Sequence, residues 1–564
     1  MTTIPSSSFG CKIIYSTQSG TGQEVAEKLS RDLLRNGIIT KVDDIENYDY
    51  KKLLPFENII LFVVSTQGHG DVPDSMRLFW NFLLIRSHPS NALGGLRFAI
   101  LGLGDSSYTT FNFASKKLNQ RLLSLGAQQL IRRGDADDQH DLGIDYEVEK
   151  WTLELTTKLH QLYPLPLDFV PIDRNILQKS KYMVEFKTSD QEGQRMQFKP
   201  PQQYSIVQLK TNQRITCPYW NQDVRHLEFD IKDPNQNGRN LLKYSSGDVT
   251  YILPENPTKS VNEIIECLKF DPNTIITSIK PFNSELCTTP QINLPTTIGI
   301  LFKHYFDIMG SPRRYFFELL QFFTSDPLEQ ERLQYFSSTE GQDDLRDYNQ
   351  KEKRNYIDVL KDFQNISIPF EYIFDLIMPI KPRPFSISSS STMHPNELHV
   401  SAGLNTYMAP TRRLLRMGLC SQWFQTLSTG ALVPMYIKQS GATLPPSPNI
   451  PLVMVGPGTG CAIFRSFMQH REMIKKDGAL GEAIFYYGCR HANSDYLYQQ
   501  EFEHYEKSGT ISQLSVAFSR DSDDNKKVYV QHLMRRDAQL IWNLLENGAW
   551  FYISGSSGRM PKDF

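Results

Sequence analysis

Short apolar runs that end in polar, glycine-containing turns constrain the fold of this chain more than any other sequence feature. Three such runs lie in the first 160 residues, at 11–15, 59–64 and 98–103. Helical patterns lie between them, for example from Gln23 to Asn36 and from Ala114 to Leu125. A continuously apolar strand is buried on both faces, so this alternation predicts a parallel sheet with helices on both sides.

The rest of the chain changes pattern several times, and each change predicts a domain boundary. Residues 161–203 are rich in proline and polar residues, which is typical of a linker. Residues 204–440 hold alternating stretches that predict antiparallel strands, with mainly helical patterns inserted at about 256–375. From residue 441 onward, strand–helix alternation returns, beginning with the apolar run at 451–455. A chain of 564 residues is expected to form three or four such domains.

Bulk composition argues against several classes of partner. The formal net charge is −2, so nothing in the charge balance favours nucleic acid or an anionic membrane. The seven cysteines are scattered without a C-x-x-C pair, which indicates free thiols rather than disulfides or a metal site. No run reaches the roughly 18 apolar residues of a membrane span, and no signal peptide is recognisable. We therefore expect a cytoplasmic protein, with mitochondrial association as an additional location.

The first apolar run leads into a loop whose residues can bind a phosphate group. The loop is S-T-Q-S-G-T-G, from Ser16 to Gly22, and a helix is predicted after it. Hydroxyls and backbone N–H groups at the start of a helix bind anions. The loop lacks the lysine of nucleoside triphosphate sites, so a monophosphate held by neutral donors fits better. Taken alone, the pattern is equally typical of an ordinary strand–helix turn.

Two further loops are predicted to lie at the same edge of the sheet. The run at 59–64 ends in S-T-Q-G-H-G, and the run at 98–103 ends in G-D-S-S-Y followed by T-T-F-N. Ligands of open α/β sheets bind at the carboxyl ends of the strands, where these loops converge. Tyr108 offers an aromatic ring that could stack on a flat cofactor.

With these three loops, residues 11 to about 155 resemble a flavodoxin domain of the diflavin reductase type. By that resemblance, the first loop binds the FMN phosphate and the other two wrap the isoalloxazine ring. The FMN contacts that it implies are Thr17, Gln18, Ser19, Gly20, Thr21, Gly22, Ser65, Thr66, Gln67, Gly68, Leu103, Gly104, Asp105, Ser106, Ser107, Tyr108, Thr109, Thr110, Phe111, Asn112 and Asp138. A solvated acidic loop is the alternative interpretation of Asp138.

Two later motifs resemble the FAD site of the ferredoxin–NADP reductase superfamily. R-P-F-S-I-S-S at 383–389 resembles its R-x-[YF]-S motif, and G-L-C-S-Q-W at 418–423 resembles its G-x-x-[ST]-x-[WL] segment. An arginine can pair with a pyrophosphate, and amides at a helix start can bind one. The resemblance implies a catalytic Ser386 near the flavin N5 edge, and FAD contacts at Arg354, Arg383, Pro384, Phe385, Ser386, Gly418, Leu419, Cys420 and Ser421.

Two of these FAD positions have plain structural alternatives. Arg354 lies in a helical segment, where a surface arginine is nearly as common as a ligand. Cys420 stands where many relatives have alanine, and it is better explained as a buried structural thiol than as a redox group.

The run at 451–455 opens into a loop that resembles the nicotinamide site of the same superfamily. The loop is G-P-G-T-G-C-A at 456–462, with Ile463 where relatives usually have proline. NADP carries a ribose 2′-phosphate, which needs cations and hydroxyls rather than a carboxylate. Arg520 and Lys527 supply the charge, Ser519 a hydroxyl and Tyr529 a ring for the adenine. The NADP contacts implied are Thr459, Ser519, Arg520, Lys527, Val528, Tyr529, Val530, Gln531 and Asp563.

The end of the chain departs from the family pattern at two places. Ser554-Gly555 stands where relatives have Cys-Gly beside the nicotinamide, so Ser554 is the second predicted catalytic residue, with hydride transfer altered rather than lost. Relatives continue for several dozen residues beyond the position of Phe564. The NADPH-binding domain, residues 441–564, is therefore expected to be truncated at its C-terminus.

The resemblance as a whole predicts an α/β multidomain protein. It implies a flavodoxin-like doubly wound sheet at 1–160, an antiparallel β-barrel FAD domain with a helical insertion, and a Rossmann-like NADP domain. Electrons would pass from NADPH through FAD and FMN to a protein acceptor, and the linker would let the FMN domain move between FAD and the acceptor.

The acceptor is inferred from details of the loops. G-D-S-S-Y-T-T-F-N-F at 104–113, D-D-Q-H at 137–140 and R-P-F-S-I look most like the branch of the family that serves cytosolic iron–sulfur assembly. The implied partner is an anamorsin-type iron–sulfur protein. A haem protein as acceptor, or a flavin-binding scaffold with little reductase activity, remains open. The acidic run from Asp135 to Glu149 could dock a basic partner, although such runs are more often solvated faces.

Overall fold

The computed structural model of the protein describes residues 10–17, 20–67, 70–166, 168–187, 196–234, 239–283, 288–475, 480–521 and 527–555. The chain divides into two compact units. The first unit comprises Met1–Gln197, Asn262–Gly299 and Gly310–Met378, and the second comprises Phe198–Val261, Ile300–Met309 and Pro379–Phe564.

The helices and strands follow the order that the sequence pattern predicts. The N-terminal region contains β1 (Gly10–Ser16), α1 (Thr21–Arg35), β2 (Ile39–Asp44), α2 (Tyr50–Leu53), β3 (Ile59–Ser65), α3 (Arg77–Leu83), β4 (Arg97–Gly104), α4 (Phe113–Ser124), β5 (Gln128–Gln129), β6 (Gly134–Asp137) and α5 (Asp145–Leu162). The middle region contains β7 (Tyr182–Lys187), β8 (Ser205–Arg214), β9 (Val224–Asp230), β10 (Val249–Ile252), α6 (Thr258–Leu268), β11 (Ile275–Pro281), β12 (Thr296–Thr297), α7 (Ile298–His304), α8 (Arg314–Leu320), α9 (Pro327–Ser337), α10 (Gln342–Leu345), α11 (Tyr356–Asp362) and α12 (Ile373–Leu376).

The C-terminal region completes a barrel and adds a further sheet. It contains β13 (Arg383–Ser386), β14 (Glu397–Gly403), β15 (Thr406–Met408), β16 (Leu415–Met417), α13 (Leu419–Thr426), β17 (Leu432–Lys438), β18 (Leu452–Val455), α14 (Cys461–Ile474), β19 (Ala483–Cys489), α15 (Ala492–Asp495), α16 (Gln499–Lys507), β20 (Gln513–Phe518), α17 (Val530–Arg536), α18 (Ala538–Glu546) and β21 (Trp550–Ile553).

The first sheet is parallel and has the strand order β2-β1-β3-β4-β5, with β6 also paired to β4. That order is the doubly wound arrangement of flavodoxin-like folds. Successive residues of each strand enter opposite cores: Ile13 and Leu61 pack with α1 and α5, while Ile14 and Phe62 pack with α3 and α4. Both faces are apolar, which explains the unbroken apolar runs and confirms the predicted sheet.

The second unit is built on an antiparallel barrel followed by a parallel sheet. The barrel path is β13-β10-β17-β8-β9-β14, and a bridge between Ile387 and Val400 joins its two ends. The parallel sheet has the order β20-β19-β18-β21. This sequence of strands matches half of a Rossmann fold, so the predicted fold classes of both regions are confirmed.

The predicted linker contains regular structure that its composition did not indicate. Within the first unit, β7 pairs with β11, and β11 with β12, in a small antiparallel sheet. Before β7, the amide of Ile172 donates to the carbonyl of Arg35 at 2.9 Å, and the Arg35 guanidinium donates to the carbonyl of Ile176 at 3.1 Å. The segment contributes only main-chain groups to these two bonds with α1, so its composition does not reveal them.

Two expectations about the whole chain can be compared with the described residues. None of the described helices has the length and apolar character needed to cross a bilayer. In the described ranges, the cysteines at 11, 217, 267, 420, 461 and 489 are all free thiols. Cys287 lies outside the described residues.

Candidate functional site

The loop between β1 and α1 is a tight turn that places several amides around the start of the helix. The N–H groups of Gly20 and Gly22 donate to the hydroxyl oxygen of Thr17 at 3.0 and 3.2 Å. Gly20 has a φ of +94°, and a Cβ atom on Gly22 would lie 2.8 Å from the carbonyl oxygen of Ser16. Larger residues would be strained at both positions, as in other backbone cradles for anions. Gln18 and Ser19 lie outside the described residues.

The next two loops meet this one at the carboxyl edge of the sheet. The amide of Thr66 donates to the carbonyl of Leu103 at 3.0 Å, and Gln67 is paired with Asp71. The Thr66 hydroxyl is buried and has no hydrogen-bond partner among the described residues. A buried hydroxyl of this kind fits a polar ligand atom at the site. Gly68 lies outside the described residues.

The Asn112 side chain is buried under the third loop and supports its backbone. Asn112 is fully buried, has a φ of +55°, and its amide donates to the carbonyl of Ala136 at 3.2 Å. A Cβ atom on Gly104 would lie 2.7 Å from the Asn112 side-chain oxygen. Asn112 and Gly104 therefore set the shape of the loop, and Leu103 is likewise buried.

The exposed part of this loop carries the aromatic ring. Tyr108 is 40% exposed, and Asp105 accepts a hydrogen bond from the Ser107 amide at 2.8 Å. Thr109, Thr110 and Phe111 complete the same loop before α4 begins. The three predicted FMN loops thus converge, with a ring available to cover a flat cofactor.

Asp137 holds the loop in place, a function that sequence reasoning missed. Its carboxylate accepts hydrogen bonds from the amides of Ser106 at 2.8 Å and Gln139 at 3.0 Å. Burial raises the pKa of Asp137, but these hydrogen bonds outweigh it and bring the pKa below its ordinary value. The neighbouring Asp138 contributes its amide to the carbonyl of Gly104, while its side chain is exposed.

In the second unit, the two FAD-like motifs lie next to each other. Burial raises the pKa of the Cys420 thiol to about 12, and the nearby charge of Arg383 acts in the opposite direction. The Arg383 guanidinium donates to the carbonyl of Lys381 at 2.5 Å and lies 3.6 Å from Asp307. A buried thiol with a raised pKa supports the structural interpretation of Cys420.

The start of α13 offers amides without a side-chain cap. Gly418 is extended, with φ −61° and ψ 147°, and has no side chain to accept from the first turn. The amides of the following residues, Leu419, Cys420 and Ser421, can therefore bind an external anion such as a pyrophosphate. The Ser421 hydroxyl accepts from the Asn405 amide at 2.9 Å, which fixes the approach to the helix.

β13 presents its residues alternately to the two faces of the barrel wall. Phe385 packs against Phe424, with ring centroids 5.3 Å apart, while Pro384 is exposed. Ser386 is partly exposed and pairs in register with Val249. Because neighbouring side chains alternate, the Ser386 hydroxyl points away from the Phe385 ring.

Arg354 is engaged within the helical insertion of the first unit. Its guanidinium pairs with Asp362 at 2.6 Å, donates to the carbonyl of Tyr348 at 2.8 Å and lies over the Tyr348 ring. These contacts give Arg354 a structural role. The FAD contact remains a prediction.

The glycine loop after β18 depends on close backbone approaches. A Cβ atom on Gly456 would lie 2.6 Å from the Phe464 ring, and one on Gly460 would collide with the carbonyl oxygen of Ser554. The Ser554 amide donates to the carbonyl of Val455 at 2.9 Å. Ser554 therefore lies against the loop that contains Thr459, whose side chain is exposed.

The residues predicted to bind the 2′-phosphate lie at the same edge of the last sheet. The amides of Ser519 and Arg520 donate to the carbonyls of Cys489 and Arg490, both at 3.0 Å, and so extend β20 alongside β19. The Arg520 and Lys527 side chains are exposed. Two exposed cations at one edge fit a phosphate dianion.

The segment that leads into α17 alternates between exposed and buried residues. The Tyr529 ring is exposed, whereas Val530 is buried in the core and Val528 packs against it. Gln531 is partly buried in the first turn of α17. The two valines thus anchor the segment and leave the Tyr529 ring at the surface, 5.8 Å from the His532 ring between centroids. Asp563 lies outside the described residues.

A buried group of histidines and glutamates in the second unit was not predicted. His226 lies 3.0 Å from Glu228 and 2.9 Å from the Tyr498 hydroxyl, and His399 lies 3.2 Å from Glu397. Their ligand-type atoms lie close enough together to hold a metal ion. His226 and His399 are 173 positions apart in sequence, and the pairing of β9 with β14 brings the group together.

A buried arginine beside this group disfavours a divalent cation there. The Arg465 guanidinium lies 3.3 Å from His399, donates to the carbonyl of Ser388 at 2.9 Å and pairs with Glu501 at 2.8 Å. Burial, and then the charge of Arg465, lower the pKa of His399 to about 3. The group is best described as a hydrogen-bond network of uncharged histidines, carboxylates and the Arg465 guanidinium that joins β14 to α14.

Comparisons with known proteins agree with this division of the chain. The flavodoxin family profile matches residues 13–151, the FAD-binding domain profile residues 197–423, and the oxidoreductase NAD-binding domain profile residues 454–563. Similar proteins named "NADPH-dependent diflavin oxidoreductase 1" occur in Dictyostelium discoideum (58% identity; 98% of this chain, 89% of the relative), Mus musculus (37%; 98%, 92%) and Arabidopsis thaliana (36%; 98%, 92%). The similarity spans the three regions that carry the loops described above.

Proposed function

The chain belongs to the family of NADPH-dependent diflavin oxidoreductases, and from that premise we propose that it delivers electrons to an anamorsin-type iron–sulfur protein in cytosolic iron–sulfur cluster assembly. It is an oxidoreductase whose cofactors are FMN, FAD and NADPH. When bound, the two flavins convert the electron pair of a hydride into single electrons, which iron centres require. Cytoplasmic location, and the division into 1–160, 204–440 and 441–564, are part of the proposal.

The sequence and exposure of the loop at 104–112 are the main support for the proposed acceptor. Its sequence resembles the iron–sulfur assembly branch of the family, and its Tyr108 ring is exposed at the edge of the sheet. A cofactor beneath an exposed ring is accessible to a second protein. Proteins that accept single electrons form small, transient interfaces, which such an edge can supply.

The roles of this chain's own residues follow from their positions. We assign binding of the FMN phosphate to the amides around Thr17 and Gly22, and binding of the FAD pyrophosphate to Arg383 and the start of α13. To the Ser386 hydroxyl we assign a hydrogen bond at the flavin edge, and to Ser554, which lies beside the glycine loop, a role at the nicotinamide. Arg520 and Lys527 select the 2′-phosphate by charge.

The acidic run from Asp135 to Glu149 gives little support to the prediction that this run docks a basic partner. Asp135 pairs with Arg133 at 2.7 Å, and Glu147 with Arg132 at 3.1 Å. The remaining acids of the run with internal contacts are Asp137, Asp145 and Glu149. Most of the negative charge is therefore compensated within the first unit.

The proposal is tested in two steps on the purified holoenzyme. Anaerobic addition of NADPH should bleach the flavin absorbance, and an equal amount of NADH should not. The reduced enzyme should then reduce the oxidised cluster of an anamorsin-type protein faster than it reduces cytochrome c. Faster reduction of cytochrome c would favour a haem protein as acceptor, and bound flavins that NADPH does not bleach would favour a scaffold.

A further inference from the structure

An apolar groove of about 530 Å³ lies between α3 and α4 of the flavodoxin-like module. Its floor includes the rings of Trp80 and Phe113, and Phe113 is 37% exposed at the surface. The groove is completed by residues of α4, which are Lys116, Lys117, Gln120, Arg121 and Ser124. The two aromatic side chains form one apolar surface with a polar rim, which is the kind of surface that binds a partner, whereas a single exposed ring is ordinary.

The rim of the groove is positively charged, and the charges bind backbone carbonyls rather than acids. Lys116 donates to the carbonyl of Phe111 at 2.8 Å, and Lys117 donates to the carbonyl of Gly70 at 3.1 Å. Arg121 donates to the carbonyl of Leu83 at 2.7 Å. Within the described ranges, none of the three cations forms an ion pair with a carboxylate. Their charge is therefore available to an external anion.

The groove adjoins the loops that are predicted to hold the FMN ring. Phe113 follows Asn112 directly, and a Cβ atom on Gly70 would lie 2.9 Å from the Cβ of Phe113. The bond from Lys117 to Gly70 joins α4 to the loop that follows β3. A protein seated in the groove would therefore lie beside the site from which electrons leave.

We propose that this groove docks a segment of the protein electron acceptor in which acidic residues flank an aromatic or aliphatic side chain. The inference rests on the proposed function in one respect, namely that the acceptor is a protein. The apolar side chain would cover Trp80 and Phe113, and the flanking carboxylates would pair with Lys116, Lys117 and Arg121. Complementary charge of this kind guides encounter and fixes orientation more than it raises affinity.

Gln120 allows the charge of the groove to be changed in both directions without loss of a described contact. Its side chain is exposed, lines the groove and makes no hydrogen bond with the described residues. Gln120→Lys should tighten binding, and Gln120→Glu should weaken it, each by about threefold at low salt, since single exposed charges have modest effects. Lys150→Glu is the control because it lowers the charge by two units, twice the change in Gln120→Glu, at an exposed residue of α5, which packs on the opposite face of the sheet.

The first measurement uses the holoenzyme and a labelled synthetic peptide with a central Phe-Leu pair flanked by Asp and Glu. Fluorescence anisotropy gives the Kd for wild type, Gln120→Lys, Gln120→Glu and Lys150→Glu. The expected order of affinity is Gln120→Lys, then wild type and Lys150→Glu together, then Gln120→Glu. Absence of binding to wild type, or equal affinity of the two Gln120 variants, would overturn the proposal.

The second measurement separates the groove from the identity of the acceptor. The KM for the anamorsin-type protein should follow the same order, while reduction of ferricyanide by NADPH stays unchanged in every variant. Peptide binding in the expected order, combined with no reduction of the cluster by wild type, would refute the proposed acceptor and leave the groove as the docking site of another. A KM that is equal in both Gln120 variants would refute the groove.

Discussion

The two helical faces of the flavodoxin-like sheet use charge in opposite ways. On the face of α1 and α5, Arg31 pairs with Asp375, and Glu24 lies 3.2 Å from Arg313. On the face of α3 and α4, Lys116 and Lys117 contact only carbonyls and rings among the described residues. The first face is committed to ion pairs within its own unit, whereas Lys116 and Lys117 on α4 have no carboxylate partner among the described residues.

The difference indicates that charged side chains alone do not mark a docking surface. Charges that are paired within their own unit are not available to a partner. Arg314 reaches Asp145 at 3.4 Å and Glu149 at 3.2 Å, and Lys28 reaches the same Asp145 at 3.3 Å. Removing such charges from water costs about as much as their attraction returns. Their value lies in fixing how the helical insertion packs on α1 and α5, whereas unpaired cations remain hydrated and cost little.

Among the variants that compare the two faces, Arg31→Ala should lower the free energy of unfolding the most. Asp375 is fully buried, and its second oxygen has no hydrogen-bond partner among the described residues. Loss of Arg31 would leave an uncompensated buried carboxylate, so the free energy of unfolding should fall by about 3–5 kcal/mol. Urea denaturation of the holoenzyme, monitored by the increase in fluorescence as FMN is released, measures this change.

Two controls decide whether burial is the cause. The double variant Arg31→Met/Asp375→Leu should recover most of the loss because it removes both charges together. Arg77→Ala breaks an exposed pair with Asp74 at 2.7 Å and should cost less than about 1 kcal/mol. Equal losses for Arg31→Ala and Arg77→Ala would show that the two faces do not differ in this respect.

Glu24→Gln should give the next largest change in the free energy of unfolding, and the size of this change should depend on pH. Burial raises the pKa of Glu24 to about 7 from its ordinary 4.5, although Arg313 lowers it and Asp145 raises it further. The folded protein therefore binds a proton that the unfolded chain has released between these two pH values. Stability that comes from the protonated carboxyl is complete below pH 4.5 and is lost as the pH rises through 7.

The glutamine variant stays neutral, so it should be more stable than wild type at pH 8.5, by about 1–3 kcal/mol. The two proteins should converge towards pH 4.5. Thermal or urea unfolding across this pH range provides the measurement. A variant that is less stable than wild type at pH 8.5 would mean that the pair with Arg313 outweighs the burial of the charge.

Lys116→Gln, on the opposite face, should have a small effect on stability. It loses one hydrogen bond to a carbonyl and a cation–π contact of 5.4 Å with Phe113, both near the surface. The free energy of unfolding should change by less than about 1 kcal/mol. A loss as large as that of Arg31→Ala would show that Lys116 is a structural residue and would remove the contrast between the faces.

Added salt should distinguish the two faces with the smallest change in the free energy of unfolding. Raising the ionic strength from about 0.05 to 0.5 M shortens the screening length several-fold, but it acts weakly on buried pairs. The unfolding free energy should stay nearly constant, while the KM for the protein acceptor should rise. A constant KM would contradict a charged docking surface on α3 and α4.

Much of the fold could be predicted because its signal is local. The apolar runs at 59–64 and 98–103 correspond to β3 and β4, and the run at 451–455 corresponds to β18. The G-P-G-T-G loop was likewise predictable, since its glycines are required by backbone approaches near Gly456 and Gly460. Such features depend on neighbours within a few residues along the chain.

Other features depend on residues that are far apart in sequence, and these were missed. β7 lay inside the predicted linker because its pairing with β11 is set by partners about 90 residues away. The network of His226, His399 and Arg465 shows no spacing that sequence analysis could recognise. Asp137 was passed over in favour of the adjacent Asp138 because only the structure shows which carboxylate faces the amide of Ser106.

The sequence by itself determined the three modules, their order and the types of residue at their loops, because periodicity and glycine placement are read from adjacent residues. Only the tertiary structure decided which charges are paired. Arg31 and Lys116 are both basic residues on helices of one module, and nothing in the sequence distinguishes them. Their roles differ because packing brings Asp375 to one and only carbonyl oxygens to the other, and an ion pair forms only where the fold places the opposite charge within reach.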